Sequence, residues 1–291
     1  MRDTGPILTV VVAIIALWYV AAIPLNASWA YDKAQRADIE LSTQDLVADT
    51  WSQDKPRLPA PHQIAAEIWD TTGAMVLKGR GFSKRSLIYH SWVTFSATML
   101  GFVLGTGLGV LLAVGIVHNR TMDRSVMPWI IASQTVPIIA IAPMIIVVLN
   151  AIGISGLLPK AMISMYLSFF PVVVGMVKGL RSPDAMQLDQ MRTWNASRAQ
   201  TFWRLRLPSS MPYFFTSLKI GMAASLVGAI IGELPTGAVA GLGARLLAGS
   251  YYGQTVQIWS ALLMAALLAA ILVGIIGAIQ RLMLRRMGMS Q

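Results

Sequence analysis

Cysteine is absent from this 291-residue chain. That excludes disulfides, thiolate metal sites and a cysteine nucleophile, while leaving the compartment open. Charge is scarce too: Asp, Glu, Lys and Arg make up 12% of the residues, against roughly 25% in soluble domains. With 55% hydrophobic residues and a mean hydropathy of +0.62, the composition excludes a disordered chain, a secreted disulfide scaffold and most soluble enzymes. No G-x-x-x-x-G-K-[ST] is present, and no Lys is followed by Ser or Thr, so the chain cannot hold ATP in a P-loop. His62, His90 and His118 are too scattered for a metal motif. No Ser-His-Asp arrangement can be argued from spacing. No catalytic residue, metal site or cofactor is therefore expected.

What is present is apolar and arranged in long runs. A bilayer core needs about 20 mainly apolar residues per helix. Six stretches qualify: Ile7 to Leu25, Trp92 to Val117, Val126 to Leu149, Leu157 to Val177, Met211 to Gly232 and Val256 to Gln280. Lys160 and Lys219 lie within one or two turns of a span end, where a long side chain can snorkel to the interface. One such stretch could be a buried core helix; six of them separated by charged loops point to a membrane. The first run also has small residues after it, as a cleaved signal would, but about 18 apolar residues exceed an h-region of roughly 7–15. An uncleaved span fits better.

The net charge of +10 would suggest nucleic acid in a soluble protein. Here it is better read as orientation. With the N-terminus inside, the inner segments, Lys178 and Lys219 included, hold thirteen basic and four acidic residues, or +9. The outer side holds ten basic and nine acidic, or +1. The positive-inside rule then places both termini in the cytoplasm. The expected division is a first transmembrane helix over 1–25, an outer segment over 26–90, a transmembrane core over 91–280 and a cytoplasmic tail over 281–291. Within the outer segment, Pro61 suits the first turn of a short amphipathic helix. Ile64, Ala65, Ile68 and Trp69 would share its apolar face, which packs on the membrane or the bundle, or binds a partner.

The inner segment from Arg181 to Met211 is too structured for a loop. Ser182-Pro183-Asp184 reads as a helix start, with Ser as N-cap and Pro at N1. Ala185, Met186, Leu188 and Met191 give a partly apolar face. Asn195 suits a left-handed stop. Ser197-Arg198-Ala199-Gln200 has the form of a capping box, opening a second helix through Phe202, Trp203 and Leu205 to Leu207. Pro208 is expected to end it, and Pro212 to open the fifth span. Phe202 and Trp203 are expected to project beside Arg198, Arg204 and Arg206. That composition fits a protein docking surface and equally an interfacial helix on anionic lipid.

At this point the chain resembles a family. The run from Leu188 through Asp189, Met191, Asn195, Ala196 and Ser197, followed by Leu207-Pro208, is similar to the "EAA…G…LP" loop of bacterial ABC-importer permeases. Asp189 stands where Glu is usual, Met191 where Ala is usual and Asn195 where Gly is usual; these departures bear on partner affinity more than on fold. Leu58-Pro59-Ala60-Pro61 resembles the "LPsP" element of the branch importing nitrate, sulfonates, taurine and pyrimidine-like precursors. The stretch Val136 to Pro143, Ile152-Gly153-Ile154, Phe170-Pro171, and Glu233 followed by Gly241-Leu242-Gly243 fit the same branch. The resemblance covers roughly residues 58–280.

It implies an all-α integral membrane protein of six transmembrane helices with the type I (MetI-like) importer architecture, in the bacterial inner membrane. It also implies coupling helices within 182–207 that dock on an ATPase subunit through Asp189, Met191, Asn195, Ala196, Ser197, Arg198, Phe202, Trp203 and Pro208. The partners would be ABC ATPase subunits, which bind the ATP, a second permease in a homo- or heterodimer, a periplasmic solute-binding protein and membrane lipid, with no nucleic acid.

Residue chemistry adds a path. Ser133, Gln134 and Thr135, then Pro137 and Pro143, place polar groups and freed carbonyls at membrane depth, where they line a cavity or bond a neighbouring helix, and the prolines can kink the span. Glu233 is the only acid near a span; it would bind a cation, gate the outer mouth or pair with Arg245. Gly101, Gly105 and Gly109 form overlapping G-x-x-x-G, suited to close helix packing. The leading expectation is the permease subunit of an ATP-driven importer of a small solute, with a pyrimidine-like heterocycle favoured over a nitrate-, sulfonate- or taurine-type anion because the path offers little positive charge. The alternative, a secondary transporter or channel, is disfavoured by the near absence of ionisable residues at mid-membrane; a membrane enzyme is disfavoured by the missing catalytic constellation.

Overall fold

The computed structural model describes residues 4–234 and 238–289. Among these, every regular element is a helix. The chain divides into two compact units, Met1–Ser91 with Ala244–Ala265, and Trp92–Gly243 with Ala266–Gln291.

The first unit opens with α1 (Thr4–Ala37). The apolar run ends at Leu25, but the helix continues twelve residues further. Ala, Lys, Gln and Arg recur in that extension and hold a helix well. The end of an apolar run marks a change of surroundings, not a stop in backbone hydrogen bonding. Large side chains along the run, including Ile7, Val12, Leu17 and Val20, are exposed, as suits a helix bathed in hydrocarbon. Beyond it, Asn26 is buried and straps the following segment down. Its Nδ2 donates to the Thr50 and Leu58 carbonyls at 3.0 and 2.8 Å, and its Oδ1 accepts from the Leu58 amide at 3.1 Å. Trp18 Nε1 adds a bond to the Pro59 carbonyl at 3.1 Å. Leu58 to Pro61 is thus a stretch clasped by α1.

α2 (Thr43–Ser52) has no counterpart in the sequence reading. α3 (Pro61–Thr71) is the expected amphipathic helix, with a different face. Ile64 and Thr71 are buried, whereas Ala65 and Trp69 are exposed. The inward stripe thus follows Ile64, Glu67, Ile68 and Thr71, and Trp69 lies on its flank. α4 (Gly73–Leu77) follows. The unit also holds part of α12 (Leu242–Tyr252) and the start of α13 (Thr255–Arg286), where Trp259 packs on Trp18 with ring centroids 4.8 Å apart.

The second unit is organised on α8 (Leu157–Leu180). α5 (Leu87–His118) lies against it along the predicted glycine stripe. A Cβ on Gly101 would come within 2.4 Å of Ser164 Cβ, and one on Gly105 within 2.1 Å of Ser168 Oγ. On the other side of α8 runs α11 (Leu207–Glu233), whose Gly228 backs onto Ser164 Cα, while Gly175 and Gly179 of α8 receive Ser217 and Ser210. Small residues let the backbones approach and gain dispersion contacts that lipid cannot match. Ser164 Oγ donates to the Ser225 carbonyl at 2.6 Å and Ser225 Oγ to the Thr98 carbonyl at 2.8 Å, tying the three helices. Such interhelical bonds contribute about 0.6 kcal/mol each. Apolar clusters around Val172, Val173 and Met176, and around Phe215, Met222, Leu272 and Ile276, fill the rest.

The third span departs from expectation. Val126 to Leu149 is not one straight helix: α6 (Arg120–Ser133) and α7 (Ile138–Ala151) meet at 97°. Pro137 lacks an N–H and disfavours helical backbone at Val136, so the ladder closes with the Gln134 and Thr135 amides on the Ile131 and Ala132 carbonyls. Among the described residues, five continuous helices are long and apolar enough to cross a membrane, and six if the bent pair counts as one span.

Candidate functional site

Three features of the second unit carry the chemistry. The first is the loop after α8. α9 (Ala185–Thr193) begins two residues later than the sequence suggests: Asp184, not Ser182, is the N-cap. Its carboxylate accepts from the Gln187 amide at 2.7 Å, and the Gln187 side chain accepts from the Asp184 amide at 3.2 Å. This reciprocal capping box satisfies two helix-start donors, which Ser182 with Pro183 at N1 cannot do. Asn195 then adopts φ +50°, the left-handed stop expected of it. Ser197 and Gln200 form the second capping box, starting α10 (Arg198–Thr201).

Pro208 does not end that helix. A π turn over Phe202–Arg206 joins α10 to α11, and Arg198–Glu233 is continuous over 36 residues. The wide turn takes the carbonyls out of the i→i−4 register that a proline ring would meet. Phe202 also departs from expectation. It tucks inward, edge-on to His118 with ring centroids 5.2 Å apart, and joins the apolar cluster of α5 and α8. Trp203 alone of the pair projects, 65% exposed. Trp194 and Met186 of the same loop are exposed as well. Arg206 Nη1 turns back to cap the Leu180 carbonyl at 3.0 Å, and Asp189 pairs with Arg192 at 2.8 Å. Met191 and Ala196 are half-buried, while Asn195, Ser197 and Arg198 are exposed.

The second feature is the vertex between α6 and α7. Ser133, Gln134, Thr135 and Pro137 are brought together there. Ser133 and Thr135 hydroxyls bond the Ile130 and Ala132 carbonyls at 2.7 and 2.8 Å. Tyr166 of α8 donates its hydroxyl to the Ser133 carbonyl, pinning the bend. Nothing in the sequence pattern singles out Tyr166.

The third feature is Glu233, which the structure does not bring to that vertex. It closes α11 with no exposed surface. Thr94 of α5 donates its hydroxyl to the carboxylate at 2.9 Å, and the Gly243 amide donates to Oε2 at 2.9 Å. Thr94 Oγ1 in turn accepts from the Leu242 amide at 2.9 Å. Gly241, at φ +127°, lies flat on the carboxylate: a Cβ there would sit 2.1 Å from Glu233 Cδ. Lys160 Nζ holds the same segment through the Ala240 carbonyl at 3.1 Å. The G-L-G sequence is therefore a cradle for a buried carboxylate. Arg245 is not among the groups that hold it; with the Gln257 amide turned to present its oxygen, Arg245 Nη1 and Nη2 donate to that oxygen at 3.0 and 2.9 Å. Thr94 and Lys160 escaped the sequence reading, since neither adjoins Glu233 in the chain.

Residues 105–289 match the family model described as binding-protein-dependent transport system inner membrane component. The chain belongs to that family. It is a membrane-spanning permease subunit of an ATP-driven importer. The permease is 32% identical over 186 residues to the formylaminopyrimidine transport permease protein ThiX of Halalkalibacterium halodurans, covering 64% of this chain and 68% of that one. It is 28% identical to the riboflavin transport system permease protein RibX of Chloroflexus aurantiacus, over 78% and 80% of the two chains. It is 23% identical to the nitrate import permease protein NrtB of Leptolyngbya laminosa, over 75% and 76%. Permeases of this kind work with an ATPase and a solute-binding protein. The capped loop, the bent span and the glycine-lined α8 all fall within the matched residues; the Thr94 end of the clasp lies just before them.

Proposed function

We propose that this permease sits in the bacterial inner membrane with both termini cytoplasmic, pairs with a second permease copy or a related one, and imports a small heterocycle. The solute would arrive from a periplasmic binding protein. Two of the relatives are named for heterocycles, formylaminopyrimidine and riboflavin, and the vertex offers amides, hydroxyls and carbonyls rather than cations. ATP stays on the partner subunits, and this chain contributes the path and the coupling surface.

One observation carries the mechanism: the helix from Arg198 to Glu233 is continuous. At 1.5 Å per residue it is about 54 Å long. A push on Trp203 or Arg198 by a closing ATPase is thus delivered along a rigid rod to α8, which it grips by small residues, and to the clasp at Glu233. Glu233 acts there as a structural tie between α11, α5 and the 240–243 segment. The docking residues are Asp189, Met191, Asn195, Ala196, Ser197, Arg198, Trp203 and Pro208, with Phe202 positioning the rod from within. The bend at Ser133–Pro137 lines the path. The test is co-purification with the cognate ATPase: Arg198→Glu with Trp203→Ala should abolish the complex while the permease elutes as before. An undiminished complex sinks the docking proposal.

A further inference from the structure

Lys219 is a cation about two turns inside the end of the apolar run of a membrane-spanning helix, twelve residues after Leu207, or about 18 Å along α11. An ammonium at that depth is costly without a counter-charge. None of the ion pairs among the described residues includes Lys219, Arg281 or Arg285. Nor can the spans supply an acid. Asp123, just before the third apolar run, is paired with Arg181 at 2.9 Å, and Glu233 lies fourteen residues away in the Thr94–Gly243 clasp.

The surroundings of Lys219 are shaped. Its side chain lies against α13 at Gly277, where a Cβ would make ordinary contact with Lys219 Cε at 3.6 Å. It opens into a cavity of about 530 Å³, in which Arg281, Arg285 and Gln280 join it while Val273, Gly274 and Leu284 form apolar walls. No acidic residue lines this cavity. Around the same helix Ile275, Ile279, Leu282 and Met283 are exposed, so this stretch faces hydrocarbon where the apolar run gives way to arginine.

We propose that this cavity binds the phosphodiester headgroup of an anionic phospholipid, with Lys219, Arg281 and Arg285 as its ligands. Three cations that share one cavity with no acid among its described lining residues favour an anion from outside the chain. The apolar walls and the adjacent hydrocarbon-facing stripe select one that carries acyl chains. Basic pockets between spanning helices are suited to such headgroups. The site needs only that the end of α13 lies at a membrane surface; assigning it to the cytoplasmic leaflet rests on the orientation proposed above.

The test is native mass spectrometry of the full-length permease released from nanodiscs of mixed phosphatidylethanolamine and phosphatidylglycerol. The wild type should retain phosphatidylglycerol in excess of its bulk share. Each of Lys219→Gln, Arg281→Gln and Arg285→Gln should lower that retention by about fivefold. Lys219→Arg should keep it, and Arg286→Gln, which removes a charge outside the cavity, should leave it unchanged. Equal retention by Lys219→Gln and Arg286→Gln overturns the site. If inorganic phosphate displaces the retained lipid, the cavity takes a free anion and the lipid assignment is wrong. Monodisperse elution and an unchanged helical signal exclude misfolding as the cause. Co-purification with the ATPase, measured on the same variants, should be retained, so loss of lipid and loss of the importer reading are separate results.

Discussion

The two ends of the helix that runs from Arg198 to Glu233 carry opposite polar chemistry. At one end, the capping boxes of Asp184 and Ser197 satisfy the backbone, while Trp194, Trp203 and Arg198 point away from the molecule. At the other, Glu233 is wholly buried and its carboxylate accepts from Thr94 and Gly243. The first end leaves its large side chains for something else to cover, as a docking surface does. The second is completed by the chain's own groups, as a buried charge must be. Substitutions at the clasp should therefore be read out in stability, and substitutions of the exposed side chains of the loop in partner binding.

The largest effect is expected at Gly241. A methyl there would overlap the Glu233 carboxyl, and the backbone at φ +127° is one that side-chain-bearing residues rarely adopt. Gly241→Ala should cost more than about 3 kcal/mol, enough to leave little folded permease. Yield of monodisperse protein and thermal unfolding in detergent measure it. A wild-type melting temperature would mean that the 240–243 segment does not press on the carboxylate, and the contrast between the two ends would fail.

Next comes Glu233 itself. Glu233→Ala strands the Gly243 amide in a dry site and should destabilise by about 2–3 kcal/mol. Glu233→Gln keeps an acceptor for Gly243 and should cost about 1 kcal/mol. The order of the two is the test. If both retain full stability yet uptake of solute falls, Glu233 is a gating or binding group after all.

Much of this was legible from residue patterns, and the reasons differ by place. The glycine stripe at 101, 105 and 109, the left-handed Asn195 and the Ser197–Gln200 box are local signals, and each appears as read. The misses are tertiary. Pro208 reads as a stop because a regular helix cannot hold it, but a π turn can. Phe202 and Trp203 are neighbours of similar composition, and only the position of His118 and the α8 cluster decides that one turns in and the other out. Glu233 and Arg245 are a plausible pair by charge and spacing, yet Thr94, 139 residues away in sequence, holds the acid. The bend of the third span was signalled by Pro137; its size, 97°, was not.

At the exposed end, Trp203→Ala should leave the stability within about 0.5 kcal/mol of wild type. It should nevertheless weaken ATPase binding by about 2 kcal/mol or more, as an aromatic anchor in a covered surface does. Titration of the purified permease with its ATPase, alongside unfolding, separates the two readouts. A drop in stability equal to the drop in binding would show that Trp203 supports the fold rather than the partner.

The smallest effect distinguishes two roles for Asn195. Its backbone, at φ +50°, is left-handed, and its amide N–H closes on the Arg192 carbonyl at 2.8 Å. If the residue serves only the turn, Asn195→Gly trades a little backbone strain for a little chain entropy, and stability should move by less than about 0.5 kcal/mol. Asn195→Ala cannot relieve the strain and should cost about 1 kcal/mol, with α9 and α10 meeting at a changed angle. ATPase binding should then follow the turn: kept in the glycine variant, reduced in the alanine one. Were the glycine variant to lose binding at unchanged stability, the Asn195 amide would itself be a contact on the ATPase, and the exposed end would reach its partner through the turn as well as through tryptophan and arginine.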